Sequence, residues 1–189
     1  MAIRWLIQSL WLALVFYWLI SARRVKPAKH VEGRVWSLAR TAVTVFVFVL
    51  IFSPWGRIGW LGHRFAPRST AMAVAGAIIT AIGLGLAAWA RFVLGRNWSA
   101  AVSLKESHEL IRTGPYARIR HPIYSGIILG LLGTALAVGE WRALVAMAVL
   151  SLSYLLIKAR KEERLLAREF GPAFQEYRSH TGMFLPWPR

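Results

Sequence analysis

The sequence predicts an all-α, polytopic integral membrane protein: five transmembrane helices, the last two forming a short helical hairpin, followed by a cytosolic C-terminal helix. Three observations lead there. Hydrophobic residues make up 57% of the 189 residues, with 10 Trp among them, and the mean hydropathy is +0.47. Yet 24 Lys+Arg stand against 8 Asp+Glu, a net charge of +16. These facts reconcile because the apolar residues and the charges occupy separate segments: a bilayer demands about 20 apolar residues per crossing and gathers basic residues beside it. A basic nucleic-acid binder would not carry so many apolar residues. The absence of Cys excludes disulfide scaffolds, thiolate zinc sites, Fe–S clusters and cysteine nucleophiles.

Residues 3–20 are almost wholly apolar, interrupted only by Arg4, Gln8 and Ser9. A cleaved signal peptide is the alternative to a first span. One Arg before the apolar stretch, the length of that stretch and the lack of an A-x-A site favour the span. A basic loop follows, with Arg23, Arg24, Lys26, Lys29 and Arg34. The second span, 35–52, is rich in β-branched residues and Phe, but a lone strand cannot cross lipid with its backbone unsatisfied, so it reads as helix. Ser53-Pro54 closes it, and a loop with Arg57, Arg64 and Arg68 leads to the third span, 70–94, whose Ala and Gly suit close packing.

Residues 95–120 form the one long polar stretch. Then 123–138 and 141–157 are apolar, broken at Gly139-Glu140. At roughly 24–26 Å each they fall short of a ~30 Å hydrocarbon core, as a tight, tilted hairpin would. Gly126, Gly130 and Gly133 give its first arm a small-residue face for packing. From Lys158 the tail is charged and helical to about Tyr177, dented at Gly171-Pro172, with a stripe of Leu166, Phe170, Phe174 and Tyr177. Basic residues concentrate in the first loop, in 95–120 and in the tail. That distribution predicts an outside N-terminus and a cytosolic C-terminus, with the two polar segments on one side. Charge beyond what orientation needs meets anionic membrane lipids.

Soluble-enzyme devices are absent: there is no GxxxxGK[ST], HExxH or GxSxG, and Gly83–Gly85 falls mid-span. Five scattered His, among them isolated His30 and His63, predict no metal site. The informative block runs from Lys105 to Gly126. Gly114-Pro115 makes a turn, and Pro122 suits the first position of the fourth span. His121 stands just before it, beside backbone donors that favour an anion. Tyr116 and Tyr124 add flat faces with polar tips. Such a set could hold a small polar ligand with a carboxylate and an aromatic base. The alternative is that Arg118, Arg120 and His121 only anchor a loop to headgroups. A second block, Lys158 to Leu166, contains the i,i+4 pair Lys158–Glu162 and the adjacent Glu163. It reads either as a solvated charged helix or, emerging on the side of His121, as the polar mouth of a site.

At these two blocks the sequence resembles the isoprenylcysteine carboxyl methyltransferase family and the related phospholipid methyltransferases. The resemblance rests on Gly114, Tyr116, Arg120-His121-Pro122, Tyr124 and Gly126, then Glu162-Glu163, Phe170-Gly171 and Tyr177, and covers about 97–186. It implies a single membrane domain over 1–189: three spans in 1–94, a cytosolic cofactor-binding loop in 95–122, the hairpin in 123–157, and a helix and tail in 158–189. It implies S-adenosylmethionine as cofactor in a cytosolic pocket closed by the tail, held by Ser103, His108, Glu109, Leu110, Ile111, Tyr116, His121, Pro122, Ile123 and Tyr124. Ser103 stands where some members have Gln. The acceptor side falls to Lys158, Glu162, Glu163 and Arg120. Lys158 stands where eukaryotic members have Arg, and lacks the bidentate fork that selects a planar carboxylate.

The expected activity is methyl transfer to a lipophilic acceptor entering from the bilayer: carboxyl O-methylation of an isoprenylcysteine-like group, or methylation of a phospholipid amine or a small thiol. Two other classes compete. Sterol reductases share a similar RHPxYxG block but are larger and use a nicotinamide cofactor. A non-catalytic lipid-binding scaffold would use the same blocks as headgroup anchors.

Overall fold

The computed structural model describes residues 2–23, 34–98 and 109–186. Among them the chain is helical, with no strand and only two isolated backbone bridges, Arg64 to Glu140 and Ile119 to Gly182. The helices are α1 (Ala2–Ala22), α2 (Arg34–Phe52), α3 (Thr70–Leu94), α4 (Pro122–Val138), α5 (Trp141–Val149), α6 (Ile157–Phe170) and α7 (Pro172–Ser179). A π-helical segment, Leu150–Leu156, joins α5 to α6.

Among the described residues, three helical runs are long and apolar enough to cross a membrane: Ala2–Ala22, Thr70–Asn97 and Trp141–Phe170. Leu38–Phe52 and Pro122–Val138 are shorter apolar helices. α4, at 17 residues, is about 25 Å long. Large apolar side chains such as Trp5, Leu12 and Phe16 on α1, Leu38 and Phe46 on α2, and Ile78 and Ile82 on α3 point outward and exposed. Contiguous apolar surface of this kind belongs against lipid.

The helix ends follow local chemistry. Ser69 caps α3 by accepting from the Met72 N–H. Gly139, at φ 66, closes α4 in the left-handed conformation with its N–H on the Ala135 carbonyl. Residues 150–158 contain no Gly or Pro, so nothing stops the helix at Ile157. α5 therefore runs on into the charged α6, where the sequence suggests a boundary. The run ends at Gly171, φ 49, and Pro172 opens α7. Only 141–157 of this long run is apolar; from Lys158 onward it is charged.

α4 packs on α3 almost backbone to backbone. A Cβ added at Gly83 would meet the Gly126 carbonyl oxygen at 2.6 Å, and one added at Gly126 would meet the Ala87 nitrogen at 2.6 Å. The glycine face read from the sequence thus serves packing inside one chain. Within the seam the Thr80 hydroxyl donates to the Gly76 carbonyl at 2.8 Å, and Trp11 Nε1 donates to the Thr134 hydroxyl at 3.0 Å. These bonds satisfy polar groups that lipid-like surroundings would otherwise penalise. Gly83→Val is expected to cost about 1–3 kcal/mol, the usual cost of overpacking. Thermal unfolding of the detergent-solubilised chain measures it.

Alternating helix directions bring the element ends together in two sets. One end gathers the start of α1, the end of α2, the start of α3 and the α4–α5 turn. The other gathers the end of α1, the end of α3, residues 109–121, α6, α7 and residues 181–186.

Candidate functional site

The second end is organised around the start of α4. Gly114 holds φ 58 and lets the 3-10 turn Gly114–Ala117 close against Val93. The turn buries Tyr116, whose carbonyl accepts from the Tyr177 hydroxyl at 2.7 Å. Burial pushes both phenols up, Tyr177 to about 12. Both hydroxyls therefore remain donors across the physiological range.

The tail is strapped onto this segment. The Gly182 N–H donates to the Arg118 carbonyl at 3.1 Å, Arg120 N–H to Gly182 at 2.8 Å, and His121 N–H to Met183 at 3.0 Å. The Ser125 hydroxyl reaches the Phe184 carbonyl at 2.6 Å. Of the backbone donors expected at the start of α4, the one on His121 is thus taken by the tail. Residues 109–113 are tied down separately: the Arg112 guanidinium donates to the Ala173 carbonyl at 2.7 Å and stands 3.5 Å from Glu176.

α6 then brings two carboxylates over α4. Glu162 accepts from the Tyr124 hydroxyl at 2.9 Å on each oxygen, with Lys158 Nζ and His121 Nδ1 each 3.7 Å away. Glu163 accepts from Arg120 Nε at 2.7 Å and stands 3.4 Å from His121 Nε2. The His121 ring lies parallel to Tyr124, centroids 5.4 Å apart, with Phe184 at 6.0 Å. Lys158 Nζ sits 5.5 Å over the Tyr124 ring. His121 and Lys158 are 7% and 6% exposed. Burial pushes the Glu163 carboxyl up, but its contacts with His121 and Arg120 outweigh that and bring it down to about 2.

Six of the sequence-predicted residues therefore converge: Arg120, His121, Tyr124, Lys158, Glu162 and Glu163. Pro122, Ile123 and Tyr116 are buried beneath them, and Ile111 packs on the same cluster. Leu110 is half-buried and Glu109 is exposed. Ser103 and His108 lie outside the described residues. Besides Glu163, the Arg120 guanidinium donates to the Arg178 carbonyl at 3.2 Å and to the Thr181 carbonyl. Those bonds make it a clasp between α6, the tail and the start of α4.

The resemblance implies a pocket closed by the tail, but not the backbone strap at 181–184, because backbone pairing across some sixty residues leaves no local pattern. Sequence reasoning missed Arg91, which is 3% exposed, donates to the Ser21 and Gly95 carbonyls and stacks 4.5 Å over Trp98. The available signal was a lone Arg one turn before the end of an apolar helix.

The residues present fit a sulfonium cofactor bearing an amino-acid group and an aromatic base. His121 Nε2 is buried and has only the long 3.4 Å contact to Glu163, short of a well-formed hydrogen bond, so a ligand could complete its bonding. Around it stand two carboxylates, one ammonium and the rings of Tyr124 and Phe184. Among the described residues, no three His, Cys, Asp or Glu side chains come together as metal ligands.

Comparison with known proteins shows the family of the chain. The phospholipid methyltransferase family model matches residues 71–173, more than half of the chain. A cobalt-zinc-cadmium resistance protein of Cupriavidus metallidurans is 34% identical over 146 residues, 75% of this chain and 60% of that protein. The protein-S-isoprenylcysteine O-methyltransferase of Schizosaccharomyces pombe is 28% identical over 49% of this chain and 40% of its own length. A methanethiol S-methyltransferase of a Pseudomonas species is 35% identical over 38% of this chain and 26% of its own. The chain thus spans 60% or less of these relatives' lengths.

Proposed function

The chain belongs to the phospholipid methyltransferase family, and we propose that it is an integral membrane methyltransferase using S-adenosylmethionine to methylate a lipophilic acceptor. The observation that carries this reading is the convergence of Lys158 and Glu162 on Tyr124 and His121 at the start of α4. The cofactor, when bound, supplies an electrophilic methyl group on sulfur for an in-line displacement.

His121, Tyr124 and the segment 109–111 hold it, with Tyr116, Pro122 and Ile123 forming the floor. Lys158 orients a carboxylate acceptor, which needs no strong base. For a thiol or amine acceptor, Glu162 takes the proton instead. Arg120 and Glu163 are positioning residues that keep the tail closed over the site and water out. Orientation and water exclusion together can supply roughly 7–11 kcal/mol of the barrier. The acceptor enters laterally from the bilayer. Because basic segments surround this end, it faces the cytosol, with the N-terminus outside.

An isoprenylcysteine-like carboxylate is the acceptor best matched by Lys158 and by the relatives named for that reaction. The relative named for methanethiol keeps a thiol as the second reading. Membranes containing the chain, incubated with methyl-labelled S-adenosylmethionine, are expected to carry label into an organic-extractable product. The reading fails if a folded sample transfers no label to lipid, prenylated peptide or thiol fractions. Alkaline release of the label as methanol identifies an ester; retention of it identifies an amine or thioether.

A further inference from the structure

At the end of the bundle opposite the candidate site lies a cavity of about 400 Å³ that no methyl-transfer role uses. Five arginines line it, Arg4, Arg57, Arg64, Arg68 and Arg142, with Glu140 as the sole carboxylate of its wall. Glu140 is already held on both oxygens: Arg57 Nη2 lies 3.0 Å from one and Arg142 Nε 2.6 Å from the other. Arg142 and Glu140 are 2% and 4% exposed, so this ion pair forms a buried floor. Arg142 also donates to the Leu50 and Ser53 carbonyls, which fixes it against the end of α2.

The other three arginines bring charge without a carboxylate partner in the cavity wall. Arg4 donates to the Phe52 carbonyl, and Arg64 to the Ala66 and Val138 carbonyls at 2.9 and 3.1 Å. Those carbonyls orient the guanidinium groups without neutralising them. Arg68 stands exposed at the rim, beside the start of α3, where the helix dipole adds further positive potential. The rest of the wall includes apolar residues, among them Ile3, Ile7, Ile51, Phe52 and Val138, from α1, the end of α2 and the end of α4.

We propose that this cavity binds the phosphate-bearing headgroup of an anionic membrane lipid in the leaflet opposite the candidate active site. All the cationic residues of the wall are Arg rather than Lys, which suits the bidentate geometry of phosphate oxygens. The volume falls within the range of small-ligand sites. The apolar residues of the wall accept the glycerol backbone and the first acyl carbons, which a free phosphate would leave uncovered. A bound headgroup would tie the ends of α1, α2 and α3 to the α4–α5 turn. The proposal rests on the arginine cavity and the apolar helices, not on the methyl-transfer reading.

The test uses the full chain in neutral detergent, titrated with short-chain phosphatidylglycerol, short-chain phosphatidylcholine and inorganic phosphate, and read by native mass spectrometry. Phosphatidylglycerol is expected to bind saturably, and the Arg4→Ala/Arg68→Ala double variant to weaken it about tenfold or more. Arg68→Ala alone, at an exposed rim position, is expected to weaken it by a smaller factor with an unchanged unfolding temperature. Equal affinity in the wild type and both variants would overturn the site. Equal binding of phosphatidylcholine would overturn the charge argument, and phosphate binding as tightly as phosphatidylglycerol would overturn the lipid source.

Discussion

Replacing His121 by alanine is expected to weaken S-adenosylhomocysteine binding by about 100-fold or more while the helices remain folded. The imidazole is more than nine-tenths buried, lies parallel to Tyr124, and its Nε2 has only a long 3.4 Å contact to Glu163. A hydrogen bond between such a group and a charged ligand is worth roughly 1.5–3 kcal/mol. Loss of the stacked ring adds to that, because Tyr124 would then lean into the vacated space. His121 sits outside the α3–α4 glycine seam, and its backbone bond to Met183 survives the substitution, so the bundle should unfold at a similar temperature. Calorimetry with the product cofactor, beside a thermal scan, separates loss of binding from loss of fold. Unchanged affinity in a folded His121→Ala protein would remove His121 from the cofactor site.

The second large effect falls on turnover. Glu162→Gln keeps the shape of the side chain and a carbonyl oxygen to accept from the Tyr124 hydroxyl, so the local packing around α4 and α6 has no reason to change. What is lost is the charge that faces Lys158 and the capacity to take a proton. The expected result is a fall in kcat of about 10²–10⁴ for a thiol or amine acceptor, the usual value of a general base. For a carboxylate acceptor the fall is smaller and falls mainly on KM, through a disordered Lys158. Affinity for S-adenosylhomocysteine should stay within a few-fold of the wild type in either case. The kcat-against-KM split is therefore itself a readout of the acceptor class. A variant with unaltered kcat and KM for every acceptor would contradict the role given to Glu162.

The apolar helices were readable because each is written in consecutive residues, bounded by Gly, Pro or clustered charge. Small residues spaced by three or four positions in α3 and α4 also marked faces on which another backbone can lie, but not which backbone, in this chain or a second one. The two functional blocks were legible as chemistry and as a resemblance, and Lys158, Glu162, Arg120, His121 and Tyr124 do meet.

The contacts that close the site were not legible. The strap joins residues 118–121 to 182–183 through backbone groups, which carry no residue-type signature, and Arg120 looks the same in sequence whether it faces substrate or clasps Glu163. The uninterrupted passage from α5 into α6 is a similar case. A π-helical segment over Leu150–Leu156 and an ordinary helix share one composition, and the change from apolar to charged residues at Lys158 marks a change of surroundings rather than a break in the chain. At the other end, Arg57, Arg64 and Arg68 were legible only as loop charge. Their convergence with Arg4 and Arg142 around one cavity depends on how four helix ends meet.

The central claim is that the start of α4, closed by α6 and the tail, holds S-adenosylmethionine for methyl transfer at the membrane. Titration of the folded, detergent-solubilised full chain with S-adenosylhomocysteine tests it most directly. The expected result is saturable heat, lost in His121→Ala and retained in Glu162→Gln. No heat at millimolar ligand from a protein that still unfolds cooperatively would contradict it.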